Sequence, residues 1–148
     1  MSAFAKCFIK GPGAADWLDR LFANRIPNRA GRVGLCHLLS ANGGVRSEYT
    51  VYRMAPETFY LVSAGAFERH DHDILRKLLP GDGSVRFEPA TTAMGVLVLA
   101  GPRSREVLAG LRPTDRQRPT ISASDQSVPV LAEVDLVVVG GGTSGACA

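Results

Sequence analysis

The sequence predicts an α+β domain of split βαβ architecture. Three observations lead there. Runs rich in branched and aromatic residues alternate with two helical stretches, each carrying one apolar stripe. An Asn42-Gly43 turn sits between two such runs, at residues 33–39 and 45–53. It marks a hairpin, because Asn and Gly both tolerate the positive φ of a tight turn. A strand-to-helix unit also occurs twice. Gly11-Pro12 is followed by Asp16, Leu18 and Leu21, and Gly101-Pro102 is followed at the same spacing by Glu106, Leu108 and Leu111. Two such units suggest a pseudo-twofold, ferredoxin-like arrangement, with one helix stripe per unit covering one sheet face.

In chain order, residues 4–9 alternate loosely and read as a strand. Gly11-Pro12 is expected to open the first helix, with Pro12 at its first position, where a missing N–H costs nothing. Ala14, Trp17, Leu18, Leu21 and Phe22 form its apolar stripe, which makes Trp17 a core residue. A loop containing Pro27 leads to the hairpin. Ala55-Pro56-Glu57-Thr58 is a turn, and residues 59–63 are the next strand. A helix is expected from Gly65 to about Leu79, with Phe67, Ile74, Leu75, Leu78 and Leu79 as apolar positions. Its polar face carries Arg69, Asp73 and Lys77 at i, i+4 spacing. Pro80-Gly81 ends it. Residues 84–88 and 93–100 read as two further strands.

Composition limits what the chain does. Hydrophobic residues make up 45% and charged residues 21% of 148, as in a globular protein with one core. No run of 18 apolar residues exists, so no membrane span is expected. The first residues lack the charged start and long apolar middle of a secretory leader, and a cytoplasmic location is expected. Cys7, Cys36 and Cys147 are widely spaced and odd in number, which gives neither a disulfide framework nor zinc spacing. Cys36 and His37 are neighbours on a strand and point to opposite faces. His70 and His72 lack a further ligand, so no metal site is expected. The net charge of +3 is mild, and no aromatics interleave with the arginines at 103–118, so nucleic acid is not an expected partner.

Beyond Pro113 the character changes. Residues 113–132 are rich in Ser, Thr, Pro, Arg and Gln and read as a disordered linker. Residues 133–148 hold an apolar run leading into Gly140, Gly142 and Gly145 in GxGxxG spacing. That is the start of a dinucleotide-binding turn, where glycines let backbone approach a pyrophosphate at a helix N-terminus. It resembles the start of FAD-dependent oxidoreductases. The acidic ribose-binding residue about 20 positions on does not follow, so the expectation is an orphan strand and a truncated FAD/NAD-binding βα start.

The hairpin carries the second resemblance. Asn42-Gly43-Gly44-Val45, then Glu48 and Val51, then Phe59-Tyr60-Leu61-Val62-Ser63-Ala64-Gly65-Ala66-Phe67-Glu68-Arg69-His70-Asp71, then Ala100-Gly101-Pro102, form one ordered set. This resembles the tetrahydrofolate-binding domain of the aminomethyltransferase family. That family includes the glycine-cleavage T-protein and the C-terminal half of dimethylglycine and sarcosine dehydrogenases. The resemblance spans residues 4–112. It implies a folate-binding-type domain at 1–112, incomplete, because the family's later pterin-holding half and its barrel domain are not in the chain.

The resemblance implies one-carbon transfer from an oxidised N-methylated glycine to tetrahydrofolate, with FAD belonging to a full-length relative. Glu48 is the implied catalytic carboxylate. Glu48, Tyr49, Val62 and Ser63 are the implied folate-binding residues. Two departures stand out: Leu35 replaces a tyrosine found in many T-proteins, and Ser47 replaces one of two adjacent acids. The chain is thus expected to be a fragment that is not active alone, associating with a missing domain or a second copy. A non-catalytic, partner-binding α+β module and a fragment of an FAD-dependent oxidoreductase are the alternatives.

Overall fold

The computed structural model describes residues 3–96, 98, 100–104, 106, 107, 121–123 and 126–128. Contacts divide the chain into two units, 1–94 and 95–148. The first contains β1 (Phe4–Lys10), α1 (Ala14–Leu21), β2 (Val33–Leu39), β3 (Val45–Ala55), β4 (Thr58–Ala64), a 3₁₀ turn (Gly65–Phe67), α2 (Glu68–Lys77) and β5 (Arg86–Pro89). They build one five-stranded sheet in the order β2-β3-β4-β1-β5, antiparallel at every contact. Because β4 and β5 both run against β1, they run parallel to each other on its two sides, and α2 links them.

Alternation along the strands sorts their side chains. Cys7 and Ile9 of β1, Cys36 and Leu38 of β2, Tyr49 and Val51 of β3, and Phe59 and Leu61 of β4 face one side. There they form a single core with Ala14, Trp17 and Leu18 of α1, Phe22 just after it, and Ile74 and Leu75 of α2. Both helices therefore cover the same sheet face. Trp17 also ties them together, its Nε1 donating to the carbonyl of Leu78 at 2.8 Å.

The hairpin turn differs in detail from the expected two-residue form. Gly43 N donates to Ser40 O (2.9 Å) and Ser40 N donates to Gly44 O (2.8 Å), with Gly43 at φ +83°. This is a three-residue loop closed by a glycine in the left-handed region. A register shift between Leu38 and Leu39 then brings the strands back into step, so that His37 faces Glu48 and Cys36 faces Tyr49.

Other expectations are corrected. Pro12 does not begin α1: Gly13 caps the helix, and Pro12 sits in a turn where Ala14 N donates to Gly11 O. Phe67 is 61% exposed and Leu78 48%, while Asp71 and His72 are buried instead. The 3₁₀ turn accounts for Phe67, because it rotates that residue off the α2 face. Of the expected strand at 93–100, the described residues belong to no strand, and Ala93 N and Met94 N both donate to Ala90 O in a turn. Of the expected second strand-to-helix unit, the described residues show no strand before Gly101, but Gly101 repeats the positive φ of Gly11, Ser104 N donates to Gly101 O at 3.1 Å, and Ser104, Glu106 and Val107 are helical, while the sheet has five strands. Within the expected linker, β6 (Ile121–Ala123) and β7 (Gln126–Val128) pair antiparallel, with Ile121 opposite Val128. These two β-branched residues bracket a short hairpin inside otherwise polar sequence. The glycines at 140, 142 and 145 lie outside the described residues.

Among the described glycines, Gly11 has the least room for a side chain. Its φ is +126°, its N–H donates to Glu57 O at 3.0 Å, and a Cβ built there collides with the carbonyl oxygen of Ser84. Gly11→Ala is expected to destabilise the chain by at least ~2 kcal/mol in urea unfolding, since strain and collision add.

Candidate functional site

The face opposite the helices has two zones. Along β1 and β4 it is buried: Lys6, Tyr60 and Val62 are each at most 5% exposed. Along the β2–β3 hairpin it is open, with Val33 54% and Leu35 52% exposed. Strand pairing lines up Leu35, Thr50, Val62 and Lys6 in one row, and Val33, Tyr52, Tyr60 and Phe8 in the next. Phe8 and Tyr60 rings lie 5.1 Å apart. The result is a largely apolar and aromatic face, open along the β2–β3 hairpin and closed along β1 and β4, with Thr50 and Lys6 within its first row. Lys10, ion-paired to Glu88, marks the β5 side.

Glu48 stands at the other margin. It belongs to the part of β3 that extends past Thr50, the last residue of that strand paired to β4. Its side chain is 59% exposed, and its Oε2 lies 3.2 Å from His37 Nε2. His37 in turn approaches Asn24, from the loop after α1, at 3.0 Å through Nδ1.

Of the residues the resemblance implied, Glu48 and Val62 share this face. Tyr49 and Ser63 do not. Tyr49 points into the helix-side core, 1% exposed, with its ring 5.2 Å from Phe22. Ser63, beside Val62 on β4, is on the helix side by the same alternation and is buried. The resemblance grouped these four by their place in the sequence, but a strand cannot turn two consecutive side chains to one face.

Behind β3 a second polar group is enclosed. Asp71 of α2 is buried, and its Oδ1 accepts from Ser47 Oγ at 2.6 Å and lies 3.3 Å from His70 Nδ1. Ser47 is thus a tether between α2 and the Glu48 end of β3, and its hydroxyl does what a second acid could not do beside a buried carboxylate. The Cys7 thiol and the Tyr49 hydroxyl lie near Asp71. Burial, with the Asp71 charge adding, pushes Cys7 up to about 12 and Tyr49 further. Burial, with Asp19 adding, raises Cys36 to about 11. Burial lowers His72, against the opposing charge of Glu68.

Both thiols, Cys7 and Cys36, are buried, and burial favours their neutral form. Among the described residues no group of three or more His, Cys, Asp or Glu side chains could hold a metal ion, and no helix is long and apolar enough to cross a membrane.

His37 and Asn24 were not singled out as site residues in the sequence. The signal for His37 was present: counting outward from Asn42-Gly43 places it directly across from Glu48. Asn24 left no comparable signal, because its contact is made by a loop.

The GCVT N-terminal domain profile matches residues 1–140, so the chain belongs to that family. Human mitochondrial dimethylglycine dehydrogenase is 37% identical over 116 residues, covering 78% of this chain and 13% of that protein. The aminomethyltransferase of Chlorobium luteolum is 27% identical over 116 residues, covering 77% of this chain and 32% of that protein. The glycine cleavage system aminomethyltransferase T of Bartonella henselae shares the fold, with a TM-score of 0.55 at 20% identity over 60% of this chain and 24% of that one. The chain thus spans about an eighth of the dehydrogenase and a third of the aminomethyltransferase. The profile match runs through residues 113–132, which composition alone sets apart.

These shifts define a pH window for stability. His72 is neutral in the fold, so its contribution is present above the ordinary value of 6.5 and is lost as pH falls below it. Cys7 and Cys36 stay protonated in the fold, so theirs is present below the ordinary value of 9.0 and is lost as pH rises toward 11–12. Urea midpoints across pH are expected to peak between these limits. A midpoint still rising above pH 10 would contradict the burial of the thiols.

Proposed function

We propose that this chain supplies the tetrahydrofolate-facing part of an aminomethyltransferase domain of the dimethylglycine dehydrogenase type. The observation that carries the proposal is the exposed Glu48 carboxylate at the edge of an apolar platform, in a chain of the GCVT N-terminal family. A pterin has an apolar plane and polar edges, and such a platform with one carboxylate at its margin suits both. Glu48 is positioned to orient N10, or to stabilise the cationic iminium as a methylene unit passes from an N-methylated amine to N5. Val62 lies on the same face within its closed zone, whereas Tyr49 and Ser63 support it from behind. The β4–α2–β5 unit, with β1 between its strands, is read as the split βαβ element of such a domain.

Folate binding is proposed for this span, and turnover for a longer protein or assembly that supplies the donor amine. FAD chemistry would belong to the latter. Cytoplasmic action remains part of the proposal, although the mammalian dehydrogenases are named mitochondrial. The second reading is a partner-binding module, favoured by the exposed Val33, Leu35, Leu39 and Val45 of the hairpin.

Calorimetric titration separates these readings. Tetrahydrofolate is expected to bind the purified chain, and Glu48→Gln to weaken it roughly tenfold or more, the scale of one charge-assisted hydrogen bond. An unaltered chain that binds no folate would leave the partner-binding module. Flavin copurifying with the chain would point to the oxidoreductase fragment instead.

A further inference from the structure

We propose that His37 is a positioning residue for Glu48, its ring held between the side-chain oxygen of Asn24 and the Glu48 carboxylate. The inference rests on the reading of Glu48 as the folate-side carboxylate. The orientation of the Asn24 amide follows from its neighbours. Its Oδ1 accepts from the backbone N–H of His37 at 2.9 Å, and a backbone donor requires an oxygen there. The same oxygen lies 3.0 Å from His37 Nδ1, so Nδ1 carries hydrogen and donates to it. Nδ1 is thereby assigned as a donor.

Nε2 is left to face Glu48 Oε2 at 3.2 Å. That is within hydrogen-bonding distance, so the contact ties the carboxylate to the ring. His37 is only 29% exposed at its side chain, against 59% for Glu48. The more enclosed group therefore holds the more exposed one. A glutamate on an open strand otherwise loses conformational freedom whenever it is used, and a fixed partner removes part of that cost before the ligand arrives.

Three variants of the full chain test this by tetrahydrofolate calorimetry, with thermal melts alongside. His37→Phe keeps a ring and removes both nitrogens, and it is expected to weaken binding roughly tenfold with little change in the melting midpoint. His37→Gln keeps a donor toward Glu48 and is expected to restore part of the affinity. Asn24→Ala is expected to weaken binding in the same direction. Equal affinities for His37→Phe and the unaltered chain, or a loss of melting midpoint that His37→Gln shares in full, would overturn the proposal.

A second readout does not involve folate. Ring ¹⁵N signals of His37 are expected to show Nδ1 protonated, and the Nε2 signal to move in Glu48→Gln. Protonation at Nε2 alone, or no response to Glu48→Gln, would overturn the contact whatever the folate result. Normal folate binding by Glu48→Gln would instead overturn the folate reading, with the ring signals still deciding the His37–Glu48 contact.

Discussion

The burial of Tyr49 and Val51 beneath the helices decides which way Glu48 faces. Both residues belong to the core formed with Leu18, Phe22, Ile74 and Leu75, and Tyr49 packs its ring on Phe22. Fully burying each such side chain is worth ~1.5–3 kcal/mol. A one-residue slip of β3 would expel both from the core and bring Glu48 and Thr50 in. An unpaired carboxylate in that core would itself cost several kcal/mol. The position of the carboxylate is therefore fixed less by anything at the site than by what lies on the other side of the strand.

Much of this was legible in the sequence. The α1 stripe, the hairpin and the strand after Pro56 all follow from local periodicity and turn residues, and each is present in the structure. Membership of the aminomethyltransferase-type family was legible too, because the hairpin and the β4-to-α2 passage are contiguous motifs. What failed was nonlocal or too short to carry a period. Phe67 fits a helical stripe in sequence, yet one 3₁₀ turn at 65–67 is enough to take it off that stripe. Asp71 is not among the apolar positions expected of α2, and its burial makes sense only once Ser47 arrives from β3. Residues 93–100 are apolar enough for a strand, but strand identity depends on pairing, and the described residues there make none.

The site residues show the same division. Glu48 and Val62 were implied by the resemblance and share a face. Tyr49 and Ser63 came from the same resemblance, and period-two geometry, which the sequence alone already contained, turns their side chains to the helix side. The enclosed polar group behind them explains their own use. Ser47, Asp71 and His70 fasten α2 to the free end of β3, beyond the reach of β4. Without that tether, the strand carrying Glu48 would be held at its end by β2 alone.

β2 is itself an edge strand, and exposed edges invite pairing with other chains. The loop after α1 closes this one in part. Ala23 N donates to His37 O at 3.0 Å, and the Asn24 side chain accepts from His37 N. Both edge-facing backbone groups of His37 are thus satisfied without another strand. The same Asn24 oxygen also meets the His37 ring, so one residue caps the edge and directs the ring. Protecting the edge and aiming the carboxylate therefore draw on a single contact. This couples the apolar packing of α1, through Phe22 and the residues that follow it, to the exposed Glu48 carboxylate on the far face of the sheet.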